Sequence, residues 1–129
     1  MIEVPVSWGE LVDKITILQI KSDRMRDEQK LVNVRKELAL LTEKLGSNAS
    51  LAEVKRLTGE LYEVNAALWD IEDDIRICEN AGDFGEKFIQ LARSVYITND
   101  KRADLKREVN GVLGSELIEE KSYQKYKVQ

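Results

Sequence analysis

The chain has 129 residues, 43% hydrophobic, 34% charged and only 6% aromatic, with seven glycines and one proline, which is the size and make-up of one domain and excludes collagen-like and low-complexity architectures. It has no histidine and a single cysteine, Cys78, so Ser-His-Asp and Cys-His catalysis, imidazole metal sites and an intrachain disulfide are all excluded. The net charge of −4 does not suit nucleic-acid binding; the absence of a basic-then-apolar leader or a long apolar run predicts a cytoplasmic protein with no membrane span.

Ile2, Val4 and Val6 alternate with Glu3 and Pro5, the pattern of a short extended segment. Ser7-Trp8-Gly9-Glu10 then has capping-box spacing, and Val6 and Leu11 stand where a hydrophobic staple forms. Leu11, Ile15, Leu18 and Met25 follow a helical stripe, so a first helix is predicted over about 8–25. Between Met25 and Leu31 the step is wrong for one continuous helix, and Asp27-Glu28-Gln29 offers a new start.

A second helix, about 27–46, carries Leu31, Val34, Leu38, Leu41 and Leu45 as an a/d seam. Gly46 supplies its left-handed end. Ser50-Leu51-Ala52-Glu53 is a second capping-box match, and Leu57, Leu61, Val64, Leu68, Ile71, Ile75 and Cys78 step by fours and threes. The third helix, about 51–80, is on the order of 45 Å long.

Gly82 ends it, and Asp83-Phe84-Gly85-Glu86 has the spacing to cap a fourth helix over about 84–110. Phe88, Leu91, Val95, Leu105, Val109 and Val112 continue the seam, which turns polar at Thr98 and Arg102. The tail, 111–129, suits either a short helix or a strand beside the N-terminal segment.

The predicted fold is therefore all-α: an antiparallel bundle of long helices with coiled-coil-like seams and a short extended N-terminal segment. Residues 67–86 carry a net charge of −6 and residues 87–107 a net charge of +4. If the third and fourth helices fold back about Gly82, facing residues have numbers summing to about 165. That register sets Glu79 by Lys87, Glu72 by Arg93, Glu63 by Arg102 and Glu60 by Lys106.

Three groups of residues could carry chemistry. Glu60, Glu63, Asp70 and Asp73 lie at helical spacings that place hard oxygens for Mg²⁺; the spacing is faintly similar to the E-x-x-E pattern of all-helical nucleotide pyrophosphohydrolases, but the second half of that pattern, E-x-x-D, is not cleanly present. The bland alternative is that these acids pair with cations of the fourth helix. Arg93, Tyr96, Asn99 and Arg102 form the polar interruption of the fourth helix, readable as register-setting contacts or as a site for a small anion or sugar phosphate. Lys14, Lys21, Arg24, Arg26, Lys30, Arg35 and Lys36 are interleaved with Asp13, Asp23, Asp27, Glu28 and Glu37 and read as a solvated mixed-charge face. Trp69 flanks the seam at the core edge, with an indole N–H that needs a partner, and Cys78 reads as a small buried hydrophobe.

Val4-Pro5-Val6-Ser7, Asp13-Lys14-Ile15-Thr16-Ile17-Leu18, Ala67-Leu68-Trp69-Asp70-Ile71-Glu72-Asp73-Asp74, Leu91-Ala92-Arg93-Ser94-Val95-Tyr96, Thr98-Asn99-Asp100 and Glu120-Lys121-Ser122-Tyr123 together resemble a family of bacterial and phage proteins, domain-of-unknown-function family 6165. The resemblance spans nearly the whole chain and transfers no catalytic role. Placement of family members among surface-polysaccharide and glycosyltransferase genes implies a link to glycan or nucleotide-sugar metabolism. The seams expose more apolar stripe than a slim monomer covers, so a homo-oligomer, with a possible protein partner, is expected. The function these readings favour is a non-enzymatic accessory or scaffolding protein; the alternative is a magnesium-dependent all-α enzyme acting on a nucleotide or other phosphorylated small molecule.

Overall fold

The computed structural model describes residues 1–128. Four helices follow in order: α1 (Trp8–Arg24), α2 (Glu28–Leu45), α3 (Ala52–Ala81) and α4 (Glu86–Leu113), with a 3₁₀ segment, Gly46–Ser50, between α2 and α3. No strand occurs among the described residues. The N-terminal segment before Ser7 has no regular structure.

Local chemistry sets most of the helix ends. The Ser7 hydroxyl accepts from the Glu10 amide at 3.1 Å, and the Asp27 carboxylate accepts from the Gln29 and Lys30 amides at 3.0 and 3.3 Å, satisfying donors that the first helical turn leaves open. Gly82 closes α3 in the left-handed conformation with φ of 65°, where a side chain would strain the backbone.

Other ends differ from the sequence expectation. Ser50 is the last residue of the 3₁₀ segment and Leu51 precedes α3 without a side-chain cap, so the second capping box does not form: the cap position falls on Leu51, one residue after Ser50, and the Glu53 carboxylate is bound by Arg56 at 2.9 Å. Asp83 accepts from the amide of Gly85 at 3.1 Å rather than from α4 itself. Val6 is exposed while Leu11 is in the core, so no staple closes over the start of α1. Helix α4 runs through Gly111 and ends at Gly114, one turn later than expected.

The core is made where α1 crosses the α3–α4 hairpin. Leu11, Val12 and Ile15 of α1 pack with Leu45, Leu57, Leu61 and Val109, with Trp8, Leu38, Leu41 and Leu105 around them. Each fully buried leucine there contributes about 1.5–3 kcal/mol of transfer free energy. Helix α1 is buried on two sides: Val12, Thr16 and Ile20 lie off the Leu11-Ile15-Leu18 stripe and are as covered as the stripe. It lies against α2, α3 and α4 alike. At its start it touches α4 backbone to backbone; a Cβ on Gly9 would stand 2.3 Å from the Lys106 carbonyl oxygen.

Beyond α1 the α3–α4 hairpin continues as a two-helix arm. Arg24, the last residue of α1, reaches Asp70 at 2.7 Å, and among the described residues no hydrogen bond or ion pair joins α1 or α2 to α3 past that point. In the arm only Cys78 is fully packed. Ile71, Ile75, Phe88, Leu91 and Val95 are half-buried, and Ile77, Phe84 and Ile89 are 61%, 54% and 47% exposed.

Candidate functional site

The most constrained polar group in the molecule is Asp13, which has no exposed surface. Its carboxylate accepts two bonds from Arg102, from Nε at 2.8 Å and from Nη2 at 2.5 Å, the fork geometry that makes Arg–carboxylate pairs strong and directional. Asn65 donates from Nδ2 to Asp13 Oδ1 at 2.9 Å and to Thr16 Oγ1 at 2.9 Å, and the Thr16 hydroxyl donates to the Asp13 carbonyl at 2.7 Å. One carboxylate on α1 thereby holds α3 and α4 in register. The bonds to Asp13 hold the Arg102 guanidinium above its ordinary pKa despite burial.

One turn along, the buried Lys106 ammonium lies 2.7 Å from Glu10 and 2.8 Å from Glu119. Burial works against its charge, but the two carboxylates outweigh that and hold the lysine above its ordinary pKa; the same bond holds Glu119 below the usual carboxylate range. Asn110 accepts from the Gly9 amide at 2.7 Å, and Ser115 accepts from the Trp8 amide at 3.3 Å. The tail, without helix or strand, returns along α4: Glu119 binds Lys106, and Tyr126 packs edge-on against Tyr96 at 5.1 Å and donates to Asp100, which pushes its phenol up to about 12.

These contacts replace the cation pairing expected for the hairpin. The register itself is close, since Asn65 and Arg102 meet at one carboxylate, but Arg102 bonds Asp13 rather than Glu63, Lys106 bonds Glu10 and Glu119 rather than Glu60, and Glu72 bonds Arg76 on its own helix at 2.6 Å. The reason is geometric: α1 inserts Glu10 and Asp13 beside α4, and α3 carries Arg56 and Arg76 four residues from Glu60 and Glu72, where helical neighbours meet.

Beside Asp13 a groove of about 450 Å³ opens between α1, α3 and α4, walled by Ile17, Ile20, Leu68 and Trp69, with Asn65, Asn99 and Arg102 inside and Glu72, Asp73 and Arg76 at the rim. Of the residues singled out as a possible binding set, it gathers Asn99 and Arg102. Tyr96 lies instead against the tail, and Arg93 is half-buried on the arm. Trp69 makes no hydrogen bond to a carboxylate among the described residues; it lines the groove.

The four acids singled out for magnesium are not brought together. Glu60 is bound to Arg56 at 3.1 Å and Asp70 to Arg24 at 2.7 Å, while Glu63 and Asp73 are exposed. Glu60 and Asp73 lie on one helix about 20 Å apart along its axis. Among the described residues no group of three or more acidic or cysteine side chains is placed to hold a metal ion. The basic residues of α1 and α2 are a solvated face, with Lys14 on Glu37 and Arg35 on Glu28.

Sequence reasoning missed Asp13, which it read as part of a mixed-charge face. The available signal was Val12, Thr16 and Ile20, a second non-charged row four residues apart on the side of Asp13.

The family model described as "Family of unknown function (DUF6165)" matches residues 2–127. The chain belongs to this family. The match takes in all four helices of the DUF6165 chain, the Asp13 network and the groove alike. Neither a curated protein nor a solved structure matches it. No helix is long and apolar enough to cross a membrane among the described residues.

Proposed function

We propose that this DUF6165 protein is a non-enzymatic, homo-oligomeric accessory or scaffolding protein of the cytoplasm, working in surface-glycan or nucleotide-sugar metabolism. The observation that carries the reading is the arm, where the α3–α4 hairpin runs past the end of α1 with apolar side chains uncovered. The body holds the fully buried leucines and valines; the arm leaves Ile77, Phe84 and Ile89 largely in solvent. Exposed apolar clusters of this kind mark association surfaces.

A second copy is the occupant that the charges favour. Within the arm, residues 71–86 are net −5 and residues 87–98 net +2, so two arms related by a two-fold axis set the acidic helix of each against the basic helix of the other, closing a four-helix bundle with an isologous interface. The alternative, a magnesium-dependent enzyme, requires acids that converge, and the spread of Glu60, Glu63, Asp70 and Asp73 along α3 weighs against it.

Light scattering on the size-fractionated chain tests the reading. The expected mass is twice the 14.8 kDa of one chain, falling to a single chain in Ile77→Glu/Ile89→Glu with helicity unchanged. A wild-type mass of one chain overturns it.

A further inference from the structure

We infer that the groove between α1, α3 and α4 binds a flat, uncharged ring that presents a hydrogen-bond donor beside an acceptor, the edge of a nucleobase. This goes beyond the scaffolding role and does not depend on it, because Asn65, Trp69, Asn99 and Arg102, the groups that would hold the ring, are not part of the apolar surface of Ile77, Phe84 and Ile89.

Asn65 is only 6% exposed. Its amide orientation is forced. The Asp13 carboxylate can only accept, and the Thr16 hydroxyl has spent its proton on the Asp13 carbonyl, so both must receive the Asn65 N–H bonds. The Asn65 carbonyl oxygen is left over, with no donor among the described residues. Among the described residues no side-chain oxygen or nitrogen is both fully enclosed and unpartnered, so this oxygen opens to solvent, and the groove is the space Asn65 lines. Arg102 is in the same position with opposite polarity. Its Nε and Nη2 are held by Asp13, and Nη1 with its two N–H groups bonds no described residue. One buried carboxylate thus fixes the orientation of both an open acceptor and an open donor among the groove-lining residues, before any ligand arrives.

The surroundings decide what those two groups would take. Ile17, Ile20, Leu68 and Trp69 give an apolar wall with one π face, which favours stacking of a flat ring. Asn99, which also lines the groove, adds a second amide. The charges cancel except for one: Arg102 is matched by Asp13 and Arg76 by Glu72, leaving Asp73 at the rim. A phosphate or carboxylate would meet net negative charge there, so the ring enters as a free base or nucleoside rather than as a nucleotide.

The test is two-dimensional ¹H–¹⁵N NMR of the full chain titrated with adenosine and cytidine at millimolar concentration, read at the Trp69 indole, the Asn65 and Asn99 side-chain amides and Arg102 Nε. The nucleosides are expected to shift these resonances. N6,N6-dimethyladenosine, which lacks the exocyclic donor, is expected to bind about tenfold more weakly, adenosine 5′-monophosphate more weakly than adenosine, and Trp69→Leu to lose the shifts. If Trp69→Leu fails to fold, the dimethyl comparison on the wild-type chain decides. The inference is overturned if neither nucleoside moves the groove resonances, if the dimethyl analogue binds as well as adenosine, if the monophosphate binds better, or if methyl glucoside moves the same resonances and the nucleosides do not.

Discussion

Replacing Asp13 by Asn tests the central network, because the change is isosteric and removes only charge. In the wild-type chain the fully enclosed carboxylate accepts two bonds from Arg102 and one from Asn65. An amide at position 13 leaves the Arg102 guanidinium without its counter-charge and sets an N–H₂ against donors on either side. Breaking a buried pair from one side costs about 3–5 kcal/mol, a large share of the roughly 5–15 kcal/mol that holds a domain together. For a chain of this length each kcal/mol moves the melting temperature by roughly 3–5 °C, so Asp13→Asn is expected to melt on the order of 10–20 °C lower. Urea unfolding with an unchanged slope would assign the loss to the folded state. Arg24→Ala, which removes the exposed pair with Asp70, is the control and is expected to cost less than about 1 kcal/mol. The double replacement Asp13→Leu/Arg102→Met is expected to recover much of the loss, since it removes both charges together. If Asp13→Asn costs no more than Arg24→Ala, the network does not hold α1, α3 and α4 in the way described.

Gly9→Ala is expected to cost about 1–3 kcal/mol, because its Cβ would lie 2.3 Å from the Lys106 carbonyl and must push α1 off α4; Gly59→Ala, in a helical position with nothing within 4 Å, is expected to stabilise by about 0.5–1 kcal/mol, and equal effects in chemical denaturation would refute the contrast. The tail latch has a definite pH signature: the lowered Glu119 pKa means its contribution is present above the ordinary value of 4.5 and lost as pH falls through the lower folded value, while the raised Lys106 pKa means its contribution is full below 10.5 and lost as pH rises through the higher folded value. Backbone amide shifts of 115–121 should therefore change below pH 4.5 and above pH 10.5, and Glu119→Gln should abolish the acid step. Millimolar Mg²⁺ is expected to leave the melting temperature unchanged; binding at about 100 times the dissociation constant would add roughly 2.7 kcal/mol, and a shift of that size would revive the acids of α3 as ligands.

Much of the fold was legible because it is written in local chemistry. The threes and fours of α2, α3 and α4, the Ser7 cap, the new start at Asp27 and the stop at Gly82 are short-range features, and each appears where the spacing put it. What was not legible is three-body. A register worked out for α3 and α4 alone could not foresee that α1 would supply Asp13 and Glu10 as the partners of Arg102 and Lys106. The tail is a similar case, since its path along α4 rests on single long-range contacts such as Glu119 with Lys106 rather than on any periodic pattern. In the groove, Asn99 and Arg102 were visible as polar breaks in an apolar seam, whereas Asn65 stood unremarked because one amide in a long helix carries no signal until its neighbours are known.

In the proposed assembly the core around α1 is already packed in one chain, and the arm is completed by a second copy. Amide hydrogen exchange followed over a range of protein concentrations separates the two most directly. Protection of residues 71–98 should rise with concentration as arms pair, while that of Leu57, Leu61 and Val109 in the body should stay constant. Arm protection that is the same in dilute and concentrated solution would contradict the pairing of arms and the scaffolding role built on it.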